Sequence, residues 1–330
     1  MLSLLPWQAN DWARLVPQFD RLPHAMLFIG PTGIGTERFV ASLAQALLCE
    51  QPQAEHRACG QCVACHWLAA DSHPDFRRLS ADEEATKDGP KKLRQIKIEA
   101  VRHIIDFAHL SAHRGGNRVI VIEEAETLNL AAANALLKIL EEPPEGVFFL
   151  LTASQPQKLL ATLRSRCRLI PLTAPAWPDA LHWLHAQGRA DPERELAYAG
   201  GAPLALLADE LIPHRDQLLA VLMRPQRAAI LSCAADLDRS RLPLEVPLNW
   251  LSKWLYDLSA VALQAAPHYH PHAQDTLQRL AARITPPQLM HYHTHILTLM
   301  PFGQHTLSVR LQLERLLFDY LGLFARQRDA

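Results

Sequence analysis

Apolar and polar positions alternate between two periods in the first half of the chain and settle on one period in the second. Short, largely apolar runs at His24–Ile29, Val119–Ile122 and Val147–Thr152 have the length and lack of alternation of strands buried on both faces, and Leu169–Leu172 reads as a further strand. His73–Leu79 opens on a Pro that biases its predecessor toward extended backbone, and predicts a strand entry. Between these runs the spacing is helical. It predicts helices over Glu37–Leu48, from Ile96 with Ile98, Val101, Ile104, Ile105 and Ala108 on one face, over Leu130–Glu142 behind an Asn129 cap and before Pro143-Pro144, and around Leu159–Leu163. Trp7, Trp12 and Leu15 hint at a further helical stretch before the first strand, and the polar stretch Ser80–Arg94 reads as a solvated loop.

Strands alternating with helices up to Leu172 predict a parallel α/β sheet. Beyond Thr173 only helical periodicity remains. Short helices are expected over Trp177–Gln187, Glu193–Ala199 and Leu204–Leu211, broken by Gly200-Gly201-Ala202-Pro203. Longer ones follow at Gln217–Met223, Ala228–Leu237, Pro247–Ala265, Ala273–Ile284, Pro286–Leu299 and Ser308–Arg328, the last with Leu313, Leu316, Leu317, Tyr320 and Phe324 on one stripe. Three domains are therefore expected: an α/β module over 1–172, a small helical domain over 173–211 and an all-helical domain over 212–330.

The stretch between the first strand and its helix changes the picture from fold to chemistry. Gly30-Pro31-Thr32-Gly33-Ile34-Gly35-Thr36-Glu37 has the frame of a phosphate-binding loop, G-x-x-x-x-G-K-[ST], in which backbone N–H groups cradle phosphates, the Lys reaches β and γ, and the hydroxyl holds Mg²⁺. Thr36 stands in the Lys position and Glu37 in the hydroxyl position. A carboxylate about 4 Å from a phosphate charge costs on the order of 4 kcal/mol at an effective dielectric near 20. Nucleotide binding is expected to be weak or absent. The second signature of such sites, a buried strand ending in two acids, is blurred as well: Glu123-Glu124-Ala125-Glu126 puts a longer Glu where an Asp would hold Mg²⁺. Thr152 and Ser154 sit at a strand end where open α/β sheets place polar groups that sense a ligand.

Composition narrows the class. In 330 residues there are 33 basic and 34 acidic side chains, so no global field recruits nucleic acid or membrane. No run of about 18 apolar residues and no leader pattern is present, and cytoplasm is the default expectation. Four of the six cysteines cluster as Cys49, Cys59, Cys62 and Cys65, which in a chain without a secretion signal points to a closed, structural tetrahedral zinc site, with His56 or His66 as possible substitutes for one thiolate. The seventeen histidines include His268-x-His270-x-His272 and His291-x-His293-x-His295, but a spacing of two does not converge on one helix face, so these read as surface or packing residues.

Taken together, the loop frame at Gly30, Gly33, Gly35, Thr36 and Glu37, the four inserted cysteines, His73-Pro74-Asp75, Glu123–Glu126, the run Asn134–Pro144 (N-A-L-L-K-I-L-E-E-P-P) and Ser165-Arg166-Cys167 resemble the clamp-loader subunits of the AAA+ class found in bacterial DNA polymerase III. They cover most of the first 172 residues in the family's order; downstream, Trp254–Leu258 and Leu311–Leu317 look like its collar helices. The motor subunits τ and γ of that family keep the loop Lys and Ser/Thr, so the missing pair points to the branch that does not hydrolyse ATP. The resemblance implies an AAA+ module, a helical lid and a helical collar, and a stator role in loading the sliding clamp onto primed DNA at a nucleoid-associated replisome. It implies the τ/γ motors, the δ subunit and the clamp as partners, with primed DNA met mainly through the complex. It also implies that Arg166, within the Ser165-Arg166-Cys167 triplet, reaches in trans to the γ-phosphate of ATP held by a neighbouring motor subunit. Membership of a polymerase holoenzyme, rather than an intrinsic ATPase, is the enzymatic expectation. Two other readings stay open at this level: an active ATPase in which Arg38 replaces the missing Lys, and a zinc-dependent nucleic-acid-binding module.

Overall fold

A computed structural model describes residues 4–81, 95–113, 116–206, 208–300 and 308–325. Most of the predicted loop Ser80–Arg94 lies outside these residues, as does the end of the helix expected to reach Arg328. The described chain divides into two compact units, one comprising residues 4–81, 95–187 and 202–205, the other 188–201 and 206–325.

The first unit is built on five parallel strands: β1 (Ala25–Ile29), β2 (Phe76–Leu79), β3 (Arg118–Ile122), β4 (Val147–Ala153) and β5 (Arg168–Pro171), in the spatial order β2-β3-β4-β1-β5. Side chains alternate across the sheet, and each face has its own core. Ala25, Leu27, Ile120, Ile122, Phe149 and Leu151 meet α4 (Ile98–His109), α5 (Leu130–Glu141) and α6 (Ala161–Arg166). Met26, Phe28, Val119, Val121 and Leu150 meet α1 (Ala9–Leu15) and α2 (Thr36–Leu48) through Trp12, Phe39, Val40 and Leu43. Burial on both faces is why β1, β3 and β4 read as unbroken apolar runs, while the edge strands β2 and β5 are largely exposed. The order places β3, β4 and β1 side by side, so Glu123, Thr152 and the Gly30 loop emerge from one end of the sheet. The Asn129 cap forms as predicted, its Oδ1 accepting the Ala132 N–H at 2.8 Å.

Three local expectations are corrected. Ile96 does not start a helix: it makes a one-residue parallel bridge to Leu128, donating to Thr127 O at 3.0 Å and accepting from the Asn129 N–H at 3.1 Å, and α4 begins at Ile98. Residues 204–206 and 208 are not helical, the Leu204 N–H being drawn to Gly33 O at 2.9 Å, and a short 3-10 turn, Asp209–Leu211, follows. The third concerns the helix expected around Leu159–Leu163, which instead spans Ala161–Arg166, so that Arg166 closes α6. Two further helices, α3 (Val63–Ala69) and α7 (Trp177–Ala186), complete the first unit.

The second unit contains no strand among the described residues. It packs α8 (Pro192–Tyr198), α9 (Ile212–Met223), α10 (Arg227–Arg239), α11 (Glu245–Ala262), α12 (Gln274–Ala281), α13 (Pro286–Leu299) and α14 (Val309–Ala325) around a single core. The predicted stripe of α14 is buried throughout. Trp254, fully buried, donates from Nε1 to the Tyr320 hydroxyl at 2.9 Å, which donates on to Leu222 O at 3.0 Å. His270 is buried against Asp257, with Nδ1 2.8 Å from Oδ2, while Asp257 also accepts the backbone N–H groups of His268 and His270 at 2.7 Å. His270 is thus a packing histidine; burial holds its pKa below the usual value, opposed by the Asp257 carboxylate.

Candidate functional site

The loop after β1 keeps its shape. The Gly30 N–H is tied to Ala153 O at 3.2 Å, and Gly33 and Gly35 adopt φ of +86° and +87°, backbone that favours glycine. A Cβ at Gly30 would lie 2.8 Å from Thr36 Oγ1 and 2.7 Å from Ile34 Cδ1. Three ties hold the loop from outside: Trp7 Nε1 donates to Ile34 O (2.9 Å), Gln8 Nε2 to Gly35 O (2.7 Å), and Leu204 N to Gly33 O (2.9 Å). Since α2 starts at Thr36, the N–H groups of a helix first turn stand at the loop mouth, the usual footing for an anion.

The side chains oppose that footing. Thr36 is buried, and its hydroxyl has no hydrogen-bond partner and no charge with which to meet a phosphate. Glu37 is exposed beside it. Burial pushes the Glu123 carboxyl up; Arg78, 4.0 Å away, pulls it back, while Glu37 and Glu124 push the same way as burial. The region that would receive Mg²⁺ and the terminal phosphates therefore carries acids from the loop and from the end of β3. Thr152 and Ser154, read from the sequence as ligand sensors, have structural duties. Thr152, 2% exposed, accepts the Glu124 N–H on Oγ1 at 3.0 Å, steadying a residue at φ +47°. Ser154 donates Oγ to Glu126 Oε1 at 2.7 Å, and the same oxygen collects the N–H groups of Ser154 (2.8 Å) and Gln155 (3.0 Å).

The Ser165-Arg166-Cys167 triplet lies where α6 runs into the edge strand β5. Cys167 points into the sheet core, and burial pushes its thiol up to about 11, so it anchors the triplet and takes no part in polar chemistry. Ser165 Oγ donates to Thr162 O within the helix, at 3.0 Å. Arg166 remains at the surface: Nε donates to Glu141 Oε1 at 2.6 Å, Nη2 donates to the same oxygen, and Nη1 donates to Thr162 O at 2.9 Å. His73-Pro74-Asp75 is a clamp, a role the sequence reading did not assign. Asp75 Oδ1 accepts from Arg118 Nη2 (3.2 Å) and from the His113 N–H (2.8 Å), and the Asp75 N–H is held by His73 Nδ1 (3.0 Å). Its sequence signal was a carboxylate placed directly after a Pro at the entry to a strand.

Cys49, Cys59, Cys62 and Cys65 converge, with ligand atoms all within 4.8 Å of one another. Individual Sγ···Sγ separations are 3.9 Å (Cys49 to Cys62), 4.0 Å (Cys59 to Cys65) and 3.8 Å (Cys49 to Cys65). A tetrahedron with metal–sulfur bonds of about 2.3 Å has edges of about 3.8 Å, so the donor set fits one tetrahedral ion. Backbone N–H groups already face the sulfurs: Cys59 N to Cys49 at 3.2 Å, Cys62 N to Cys59 at 3.3 Å and Cys65 N to Cys62 at 3.4 Å. Donation from the Gln61 and Cys62 N–H groups lowers the Cys59 thiol to about 6, toward the thiolate a metal needs. The histidine substitutes are ruled out here, since His56 stacks on Phe19 at 4.2 Å and His66 is exposed outside the four-sulfur group.

A parallel α/β module with a phosphate loop stripped of its Lys and hydroxyl, a four-cysteine knuckle, and a helical unit downstream define a AAA+ subunit that carries a collar. A model for "DNA polymerase III, delta subunit" matches residues 9–176, and one for "DNA polymerase III, delta subunit, C terminal" matches residues 209–320. DNA polymerase III subunit delta′ of Pseudomonas aeruginosa is 34% identical over 261 residues, covering 77% of this chain and 76% of that protein. The Yersinia pestis protein of the same name is 36% identical over 274 residues, covering 78% and 76%, and the Escherichia coli protein is 35% identical over 261 residues, covering 76% and 75%. The chain belongs to the DNA polymerase III subunit δ′ family of clamp-loader proteins. Neither the active-ATPase reading nor the nucleic-acid-module reading gains support from these relatives.

Proposed function

We propose that the chain is the ATPase-inactive stator of a bacterial clamp loader, supplying Arg166 in trans to the ATP site of a neighbouring motor subunit while the sliding clamp is loaded onto primed DNA. One observation carries the reading: the chain keeps the folded frame of a phosphate loop at Gly30, Gly33 and Gly35 while Thr36 and Glu37 remove its charge, and it holds a guanidinium at the surface in Arg166. An arginine supplied in trans meets charge that develops in the transition state and is worth roughly 10³ to 10⁵ in rate. Its planar fork suits phosphate oxygens better than an ammonium does.

On this reading residues 173–211 serve as the lid and 212–330 as the collar that assembles with the τ/γ motors and δ, and DNA is met through the complex. The four cysteines hold a structural zinc. None of the described helices is long and apolar enough to cross a membrane, and the place of work is the cytoplasmic replisome. The test is Arg166→Ala in the reconstituted complex: clamp- and DNA-stimulated ATP hydrolysis falls while assembly is unchanged. A wild-type rate in a verified assembly ends the trans role.

A further inference from the structure

Arg166 is held by a residue outside the triplet, and the way it is held leaves a defined part of it unused. A guanidinium has five N–H donors in one plane. Nε and Nη2 both donate to Glu141 Oε1, and Nη1 donates to Thr162 O. That leaves one N–H on each terminal nitrogen, the pair that can take two phosphate oxygens side by side. The two anchors sit on different helices, Glu141 at the end of α5 and Thr162 in the first turn of α6, so the guanidinium plane is fixed against both. Arg166 and Glu141 side chains are 31% and 47% exposed, and an ion pair this open adds little to folding stability. The buried pair of Arg118 and Asp75, at 4% and 5%, is the structural contrast. An open pair that orders a long side chain serves orientation.

We infer that Glu141 is the positioning residue for Arg166, holding the guanidinium from its side so that the outer edge is presented, already ordered, to the γ-phosphate on the neighbouring subunit. The inference rests on the trans role proposed for Arg166. An arginine that must find its geometry from many rotamers arrives late in the transition state, whereas one held within a few tenths of an ångström does not. The Glu141 carboxylate also offsets part of the arginine's positive charge, so two opposite effects attend its removal. Glu141→Gln separates them, since it keeps an acceptor oxygen and drops the charge.

The experiment measures ATP turnover in the full reconstituted complex and follows the component that Arg166→Ala removes. Glu141→Ala is expected to lower that component roughly 10- to 100-fold, the range a displacement of about 1 Å in a catalytic group produces, with KM for ATP unchanged. Glu141→Gln is expected to retain at least half of it. Added to Arg166→Ala, Glu141→Ala is expected to do nothing further. If Arg166→Ala itself has no effect, the trans role fails and takes this inference with it. If Arg166→Ala acts but Glu141→Ala leaves the component intact, positioning alone fails. A loss on Glu141→Ala that persists in the Arg166→Ala background assigns Glu141 a structural role and overturns the inference, as does faster turnover in both Glu141 variants, which makes charge its role.

Discussion

Replacing Cys62 by Ser isolates the contribution of the metal, because the serine hydroxyl can still cap α3 where Cys62 Sγ now accepts the Cys65 N–H, while one soft ligand is lost. The knuckle has almost no core of its own. Its buried cluster is Ala58, Cys62, Ala64 and Cys65, worth about 1 kcal/mol each. Outside ties add the Trp12 Nε1 bond to Glu55 O at 2.9 Å, about 1 kcal/mol, plus Arg57 over the Trp12 ring at 4.9 Å and the Phe19 stack on His56 at 4.2 Å, about 0.5–1 kcal/mol each. These reach roughly 6–7 kcal/mol, whereas ordering the loop 50–58 costs roughly 10–15 kcal/mol. A structural zinc contributes about 10–16 kcal/mol, which exceeds that shortfall. We therefore expect about one zinc per wild-type chain. In Cys62→Ser, or after chelation, hydrogen exchange and proteolysis should open residues 50–58 and Trp12 fluorescence should shift. The sheet stays folded, because its two cores draw on other residues. A purified chain with no metal, or unchanged exchange protection over 50–58 after chelation, would falsify this account.

Asp75→Ala leaves the Arg118 guanidinium buried without its carboxylate and should cost about 3–5 kcal/mol, read as a lower urea midpoint, and Arg118→Met in the same chain should recover part of it. The second unit should respond to alkali through Lys253, whose ammonium donates to Tyr198 O at 2.8 Å and is pushed down to about 8 by burial and by Arg215. Between about pH 8 and the ordinary value of 10.5 the unfolded chain binds more protons at this site than the folded one, so its contribution to stability rises with pH. Denaturation midpoints measured from pH 7.5 to 9.5 should show that rise in the wild type and a flatter profile in Lys253→Met; equal slopes would refute it.

What the sequence made legible follows from how local each cause is. Strands buried on both faces need no partner to be recognised, so Ala25–Ile29, Arg118–Ile122 and Val147–Ala153 were readable as apolar runs, and the cysteine cluster was readable because thiolate spacing is itself the chemistry. Where a distant backbone group decided the outcome, periodicity failed. Ile96 has helical neighbours on one side, yet Thr127 O and the Asn129 N–H claim its backbone, and Leu204 is pulled from a helix by Gly33 O. The same limit explains the polar residues. Thr152 and Ser154 occupy strand ends where sensors occur, but the turn after β3 folds back and consumes their hydrogen bonds. Conversely, nothing in the run Asn134–Pro144 marks Glu141 as different from Glu142, because its distinction is a contact made 25 residues away. Chemistry carried by a residue type at fixed spacing can be read from the chain, whereas the orientation of a group such as Arg166 is set by packing and appears only with the fold.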